Sequence, residues 1–455
     1  MPEVGALRSA TSAVADPGDF LALARGWSDG PLFYWEHPAS GRALVAIGVA
    51  REIHAHGPDR FTTVATAVRR ILATVQPIDE GRRGLRMVGG FAFSERRLAG
   101  SPAFPAARWV LPRLAWWREG GRTWLTRIWD DDDASSCDEL LARRDRTAML
   151  PSRDLHLHAS PITTPERAEW RARVDGVRRL IADGAVRKVV LARARQLAAP
   201  DSRAPVDPAV VLRAARDARP ACFSLWVRGR DAASLIAATP ELLVRRRGAT
   251  VTASALAGTA PRADDRALDR RLGAELLTCP KNAREHAIVV TAIRDALGAL
   301  ADDVVASAKP ELLVLPEAQH LATVVTGRLR GPSDVLEVAG TLHPTPAVCG
   351  APRAAARALI ETQEPERGWY TGAVGWMDDA GDGELAVVLR SALVTGRTVT
   401  LRAGAGIVEG SDADAELAET EAKMTALMAP FVAGQSGDAG RAVRGAAVGA
   451  AGAAS

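Results

Sequence analysis

The sequence predicts a mixed strand-and-helix fold, α+β or α/β, from three observations. The 455 residues are 47% hydrophobic and 25% charged, a globular composition that excludes a mainly disordered or fibrous chain. Two aromatic segments in the first third read as β-hairpins. Beyond residue 160, short β-branched runs alternate with longer amphipathic stretches. At ~150 residues per domain the length allows about three domains or a single large one.

Taken in order, residues 1–15 carry neither a basic start nor an apolar core and read as a disordered leader. From Pro31, PLFYWEHPASGRALVAIGVA reads as two strands around a Pro-Ala-Ser-Gly turn. ARWVLPRLAWWREGGRTWLTRIW reads as a second hairpin turning at Glu119-Gly120-Gly121, so residues 16–160 form a sheet-forming portion. The acidic run Asp130 to Asp133 reads as a solvated loop, with a cation site as the alternative. Pro161 to Pro165 mark a junction, after which Thr164 caps the helix PERAEWRARVDGVRRLIADG and Gly184 ends it. The strand Arg187 to Gln196 then sets Lys188, Val190, Ala192 and Ala194 on one face. Further strands are expected at Phe223 to Val227, Ser234 to Ala238, Ala373 to Met377, Leu385 to Val394 and Val399 to Ala403. Helices are expected at Asp264 to Leu277, Ala283 to Ala301, Ala351 to Thr362 and Ala413 to Ala429. Residues 161–433 thus form the larger portion, and 434–455 read as a low-complexity disordered tail.

Several function classes drop out. The formal charge of +4 is spread over the chain without a basic run of five, which gives no footprint for nucleic acid. No stretch approaches the ~20 apolar residues of a membrane span. Cys137, Cys222, Cys279 and Cys349 lie far apart without a CxxC and read as reduced thiols. A cytoplasmic monomer acting on a small molecule is the expectation. GxxxxGK[ST] and GxSxG are absent, and no GxGxxG follows a strand and opens a helix.

Of the 58 basic residues only Lys188, Lys281, Lys309 and Lys423 are lysine. In so arginine-rich a chain a retained lysine raises a question, because arginine cannot supply a neutral amine and a desolvated lysine can. Lys188 heads the apolar strand KVVLARA, where a catalytic amine and a solvated strand end are both open readings. Glu416, Glu419 and Lys423 stand at i, i+3 and i+7, on one helical face at ~100° per residue. That spacing suits a surface ion-pair ladder. It also suits a hard divalent cation, since LRAGAGIVEG precedes it and Gly404 and Gly406 let backbone approach a ligand. Glu285 near a helix start and Glu241 at the corner after Thr239-Pro240 are the other carboxylate candidates.

KVVLAR, TPELL, ALAGT, KNAREHAIVV, LHPTPAVCGAP, RGWYTGAVGW, GDGE, LRAGAGIV and ELAETEAK, in this order, resemble the chorismate-utilising family from about Thr164 to Val432. That family comprises isochorismate synthase, salicylate synthase, anthranilate synthase component I and aminodeoxychorismate synthase. The front hairpins resemble its variable N-terminal portion. The resemblance implies an α+β fold: two large antiparallel β-sheets packed face to face, helices outside, and the active site in a cleft. It implies Mg²⁺ held by Glu285 and Glu419 with Glu416 close by, acting through water, on the substrate's ring carboxylate. Tyr370, Arg390, Lys423 and the backbone at Gly404 match positions that hold the carboxylates of chorismate, including that of its enolpyruvyl arm, and Gly258, Thr259 and His320 match positions lining the ring. Asn282 departs from relatives that carry an acid there.

Lys188 matches the lysine that makes water a nucleophile at C2, where ammonia-adding members carry glutamine, and Ala257 stands where aminodeoxychorismate synthases carry lysine. The resemblance therefore implies a water-adding enzyme needing no glutamine amidotransferase. Lys188, its pKa lowered by burial and nearby positive charge, is the base, and Glu241 the acid to the departing C4 hydroxyl. Isochorismate synthase is favoured because LHPTPAVCG resembles those enzymes; salicylate synthase, which continues by losing pyruvate, is the alternative. A catalytically dead chorismate-binding protein is the reading from another class. Members of the family serve both menaquinone and siderophore biosynthesis.

Overall fold

The computed structural model describes residues 6–78, 84–96, 104–131, 133, 135–145, 149, 157–199 and 204–428. The expected tail at 434–455 lies outside the described residues, as does Asp132. Two sheets, of 13 and 10 strands among the described residues, carry the fold. Their ladders are antiparallel except where Leu7–Val14 runs parallel to Val75–Pro77.

Each sheet is built from both ends of the chain. Leu32–His37 pairs with Phe223–Arg228 in the first sheet, and Arg86–Phe91 pairs with Ala373–Asp378 in the second. Successive residues of a strand face opposite sides. Phe33, Trp35, Leu225 and Leu235 of the first sheet therefore meet Val88, Val374, Trp376 and Ala386 of the second in one core between the sheets. The alternate residues face outward. Leu243, Val251 and Leu385 pack under Val64 and Val68, Val289 and Ile293, and Leu336, all from helices on the outer face of the second sheet. Phe20, Leu21, Val211 and Leu212, from Phe20–Arg25 and Pro208–Ala218, cover the first sheet. Glu384, with no exposed side-chain surface, ties the layers by accepting from Arg42 of the first sheet and Arg245 of the second.

Two of the segments that pass from one sheet to the other border the same place. The first runs from Ser234–Thr239 through Pro240 and Glu241 into Leu242–Arg247; the second runs from Gly383–Val387 through Arg390 into Ser391–Thr395. They lie side by side, with Val387 N donating to Glu241 O at 3.0 Å and Ala238 N to Arg390 O at 3.2 Å. The expected single strand from Leu385 to Val394 is thus two strands in different sheets. Its apolar pattern runs unbroken through a bend that Arg390 makes at φ +45°.

Other expectations shift as well. The residues read as a leader include the strand Leu7–Val14, paired with Arg122–Asp130, and Leu7 is buried. Thr164 closes the strand His158–Thr164 instead of capping a helix, and the following helix Arg167–Ala182 starts after Glu166 without a side-chain cap. The helix expected from Ala283 begins at Pro280, whose missing N–H is harmless at a helix start. Asp130 is paired to Arg51 and Arg113, and Asp131 to Arg8, so the first two acids of the run are ion-paired. Among the described residues no helix is long and apolar enough to cross a membrane.

The C-terminal helix Ala413–Met428 docks through Trp170, which is fully buried and donates its indole N–H to Ala413 O at 3.0 Å. Truncating that ring leaves a cavity and an unpaired carbonyl. Trp170→Ala should lower the unfolding free energy by about 3–5 kcal/mol, read as a fall in the urea midpoint with an unchanged m-value.

Candidate active site

Beside the two crossovers the sheets part into a cleft whose non-atom space, open solvent included, is about 700 Å³. Its walls include Glu241, Gly258, Thr259, Glu285, His320, Tyr370, Arg390, Gly404, Glu419 and Lys423. Lys188 and Glu416 do not line it. They reach it through partners, Lys188 Nζ donating to Glu285 Oε1 at 2.9 Å and Glu416 Oε1 accepting from Lys281 Nζ at 3.1 Å.

Local structure explains each placement. Lys188 opens Lys188–Ala198, whose neighbour Thr398–Ile407 carries Gly404 and Gly406. A Cβ at Gly406 would stand 2.6 Å from Glu285 Oε1 and 2.9 Å from Lys188 Cε, so any larger residue there would push both side chains aside. Glu285 lies in the second turn of Pro280–Gly298, and His286 beside it turns inward to Ala257 O at 3.2 Å and Thr323 Oγ1 at 2.8 Å. Those two hydrogen bonds fix the helix rotation that aims Glu285 at the cleft. Lys423 donates to Glu419 and, at 3.0 Å, to Gly404 O, which confirms the shared helical face expected from their spacing.

Three of the four lysines thus meet three glutamates here, as Lys188–Glu285, Lys281–Glu416 and Lys423–Glu419. Lys309 alone is exposed elsewhere. Lysine scarcity flagged Lys281, yet nothing in the sequence tied it to Glu416, 135 residues away. Burial pushes Glu416 above the ordinary carboxylate value, and the charge of Glu419 adds to it. Burial works to raise Glu419 too, but Lys423 brings it below that value, helped by Lys281 and Arg390.

The donor set suits a hard divalent cation, being all carboxylate with no thiol or imidazole among the three. Glu416 and Glu419 repel each other, which a cation would relieve. The lysine ammonium groups supply positive charge there in this structure, and among the described residues no three ligand side chains already converge.

At the other end, a hydrogen-bonded chain fixes the polar groups. Arg390 Nη2 donates to His320 Nε2 at 2.6 Å, so His320 keeps its proton on Nδ1, 3.2 Å from Thr259 Oγ1. Thr259 in turn donates to Glu419 Oε1 at 3.4 Å. Burial, with Arg390 and Lys423 nearby, holds His320 far below its ordinary pKa and therefore neutral. Arg390 Nε also donates to Glu317 Oε1 at 3.2 Å, a partner the sequence did not reveal.

Glu241 is 2% exposed, and its carboxyl makes no hydrogen bond or ion pair among the described residues. Burial pushes it up to about 8, against the opposing charges of Lys188 and Arg390. A carboxylic acid that keeps its proton at neutral pH inside a cleft is equipped to be a general acid. Arg402, another lining residue, was not anticipated, although strand alternation places it on the same face as Gly404 and Gly406.

A two-sheet α+β frame holding a buried acid, an amine and a carboxylate cluster around one cleft defines an enzyme site for a small polar substrate. A family model described as chorismate binding enzyme matches residues 5–431, and the chain belongs to that family. It is 35% identical over 431 residues to the salicylate biosynthesis isochorismate synthase of Pseudomonas aeruginosa, covering 92% of this chain and 89% of that protein. It is 30% identical over 429 residues to isochorismate synthase MenF of Bacillus subtilis, covering 91% and 90%. Among solved structures, the menaquinone-specific isochorismate synthase MenF of Escherichia coli superposes with a TM-score of 0.81 at 29% identity, covering 94% of this chain and 95% of that one. Anthranilate synthase component I of Streptococcus pneumoniae shares the fold, with a TM-score of 0.67 at 20% identity over 86% and 93%.

Gly406→Ala should keep the fold and melting temperature while turnover falls by roughly a hundredfold, because the new methyl displaces Glu285 and Lys188 together. A variant of near wild-type rate would show that this ion pair has no part in the chemistry.

Proposed function

We propose that this chain is a Mg²⁺-dependent isochorismate synthase, converting chorismate to isochorismate by addition of water at C2 and loss of the C4 hydroxyl. The observation that carries the reading is Glu241, a buried carboxyl raised to about 8 in the same cleft as a lysine–glutamate cluster. An acid for a departing hydroxyl needs its proton at neutral pH, and Glu241 has it. Isochorismate synthases aligned over nine-tenths of the chain support the same reaction.

In this reading Tyr370, Arg390 and Lys423 orient the substrate carboxylates while Thr259 and His320 border the ring. Lys188 takes the proton from the attacking water. Its Nζ now donates to Glu285, so this work requires Glu285 to turn away from it. Glu285 and Glu419, with Glu416 behind, would hold Mg²⁺, which supplies charge stabilisation at the substrate's ring carboxylate. Glu241 protonates the leaving hydroxyl.

Salicylate synthase remains the second reading, because the first step is shared and the P. aeruginosa relative is named for salicylate biosynthesis. The products separate the two. Purified enzyme given chorismate should yield a chorismate–isochorismate mixture with only trace pyruvate by chromatography, whereas stoichiometric pyruvate and salicylate fluorescence would establish the alternative. EDTA treatment or Glu419→Gln should abolish turnover; undiminished rates in either case would remove the metal from the mechanism.

Two further outcomes test the acid and the base. Because Glu241 acts in its protonated form, kcat should fall as pH rises through about 8. Glu241→Gln should bind chorismate yet show at least ~100-fold lower turnover. Lys188→Arg keeps the charge but offers no accessible neutral amine, so its rate should fall by ~100-fold or more. A largely active arginine variant would mean that Lys188 acts only electrostatically.

A further inference from the structure

One edge of the strand Lys188–Ala198 has a gap in its ladder. On that side Gly350–Ala351 pairs with Lys188 and Val189, Cys349 O takes the Val190 N–H at 2.8 Å, and His158–Thr164 resumes the pairing at Ala194. Between them no strand runs alongside among the described residues, and buried backbone groups need partners. Two side chains fill the gap. Arg367 Nη2 donates to Val190 O at 2.7 Å, and the Ala192 N–H donates to Glu364 Oε1 at 2.7 Å. A donor for one residue and an acceptor for the next but one are what a neighbouring antiparallel strand would supply. The two side chains also bind each other, Arg367 Nε donating to Glu364 Oε2 at 2.7 Å and Nη2 to Oε1 at 3.0 Å, and they are only 1% and 2% exposed.

The same guanidinium reaches further. Its Nη1 donates to Val348 O at 2.8 Å and, at 3.5 Å, to Thr371 Oγ1. Val190, Val348 and Thr371 belong to three separate segments and all line the cleft, whereas Arg367 and Glu364 lie behind its wall. Burial works against the Arg367 charge, and Glu364 more than restores it. The strand held in this way begins with Lys188, whose Nζ reaches Glu285. Arg390 and Lys423 stand on the second crossover and the C-terminal helix, to which the pair makes no hydrogen bond among the described residues. Resting on the isochorismate synthase reading above, we propose that Arg367 and Glu364 are positioning residues, a side-chain substitute for a missing strand that sets Lys188 against the ring without touching the substrate. A displacement of about 1 Å in such a group is worth ~100-fold in rate.

The test uses the full-length chain in steady-state kinetics with chorismate and in amide exchange followed by mass spectrometry. Arg367→Lys leaves a cation for Glu364 but lacks the fork that joins Val190 O to Val348 O. Glu364→Gln leaves an acceptor without the charge, and Glu364→Ala removes both. In folded enzyme each should lower kcat by roughly ten- to hundredfold while KM changes less than about threefold, because Arg390 and Lys423 keep their places. Glu364→Gln should lose less than Glu364→Ala, since the Ala192 N–H keeps a partner. Amides of residues 188–198 should exchange at least ~10-fold faster, while those of Phe223–Arg228 in the same sheet keep their wild-type rate. Where Glu364→Ala does not fold, Arg367→Lys and Glu364→Gln carry the comparison. An unchanged kcat in these folded variants overturns the proposal whatever their melting temperature, as does a defect carried by KM alone or unaltered exchange at 188–198. If wild-type enzyme left chorismate unconverted, the isochorismate reading would fail, and the exchange contrast would still decide whether the pair holds the strand.

Discussion

The site depends on two chain segments changing sheets at the same place. A residue at such a bend leaves the hydrogen-bond ladder of one strand before joining the next, so its backbone needs a partner from elsewhere. The two crossovers satisfy each other, Val387 N–H bonding to Glu241 O and Ala238 N–H to Arg390 O. That exchange pins Glu241 and Arg390 against one another at the seam. It also explains how Arg390 keeps φ at +45°, a conformation that costs a side-chain-bearing residue of order 1–3 kcal/mol and persists only where its surroundings impose it. Glu241 and Arg390 are therefore placed by the topology of the sheets.

On that frame the lysines and glutamates of the cluster are paired one to one. A buried ion without a partner costs several kcal/mol, and the cluster places one lysine against each of three glutamates. Such pairs contribute little net stability, since desolvation offsets most of the attraction. What they provide is orientation, since each carboxylate is held in place by one ammonium donor. Lysine suits this better than arginine, whose planar fork would hold a carboxylate by two bonds at once. That is a reason for lysine at 188, 281 and 423 in a chain where only four of the 58 basic residues are lysine.

The sequence revealed the parts of this arrangement that are local. Lys188 stood out because it is rare and heads an apolar strand, and Glu416, Glu419 and Lys423 because helical spacing sets them on one face. The face-to-face sheets followed from the ordered motifs and not from periodicity. What stayed hidden is what depends on distant partners. Leu385 to Val394 reads as one strand because the apolar pattern is the same on both sides of the bend. The strand Leu7–Val14 is rich in small residues and gains its burial from Arg122–Asp130, more than a hundred residues away. Glu317 became visible only once Arg219 and Arg390 were seen to share it.

The two ends of the cleft differ in kind. At the Gly406 end each lysine is matched by a carboxylate. At the Arg402 end the guanidinium groups of Arg390 and Arg402 line the wall with one nearby carboxylate committed, Glu317, itself shared with Arg219. His320 between them is held neutral, so it adds no further positive charge and leaves the field between the ends graded. In the reading proposed above, this difference between the ends would turn a substrate with two carboxylates so that its ring meets Glu241 and Lys188, its orientation being fixed by charges outside the reacting atoms.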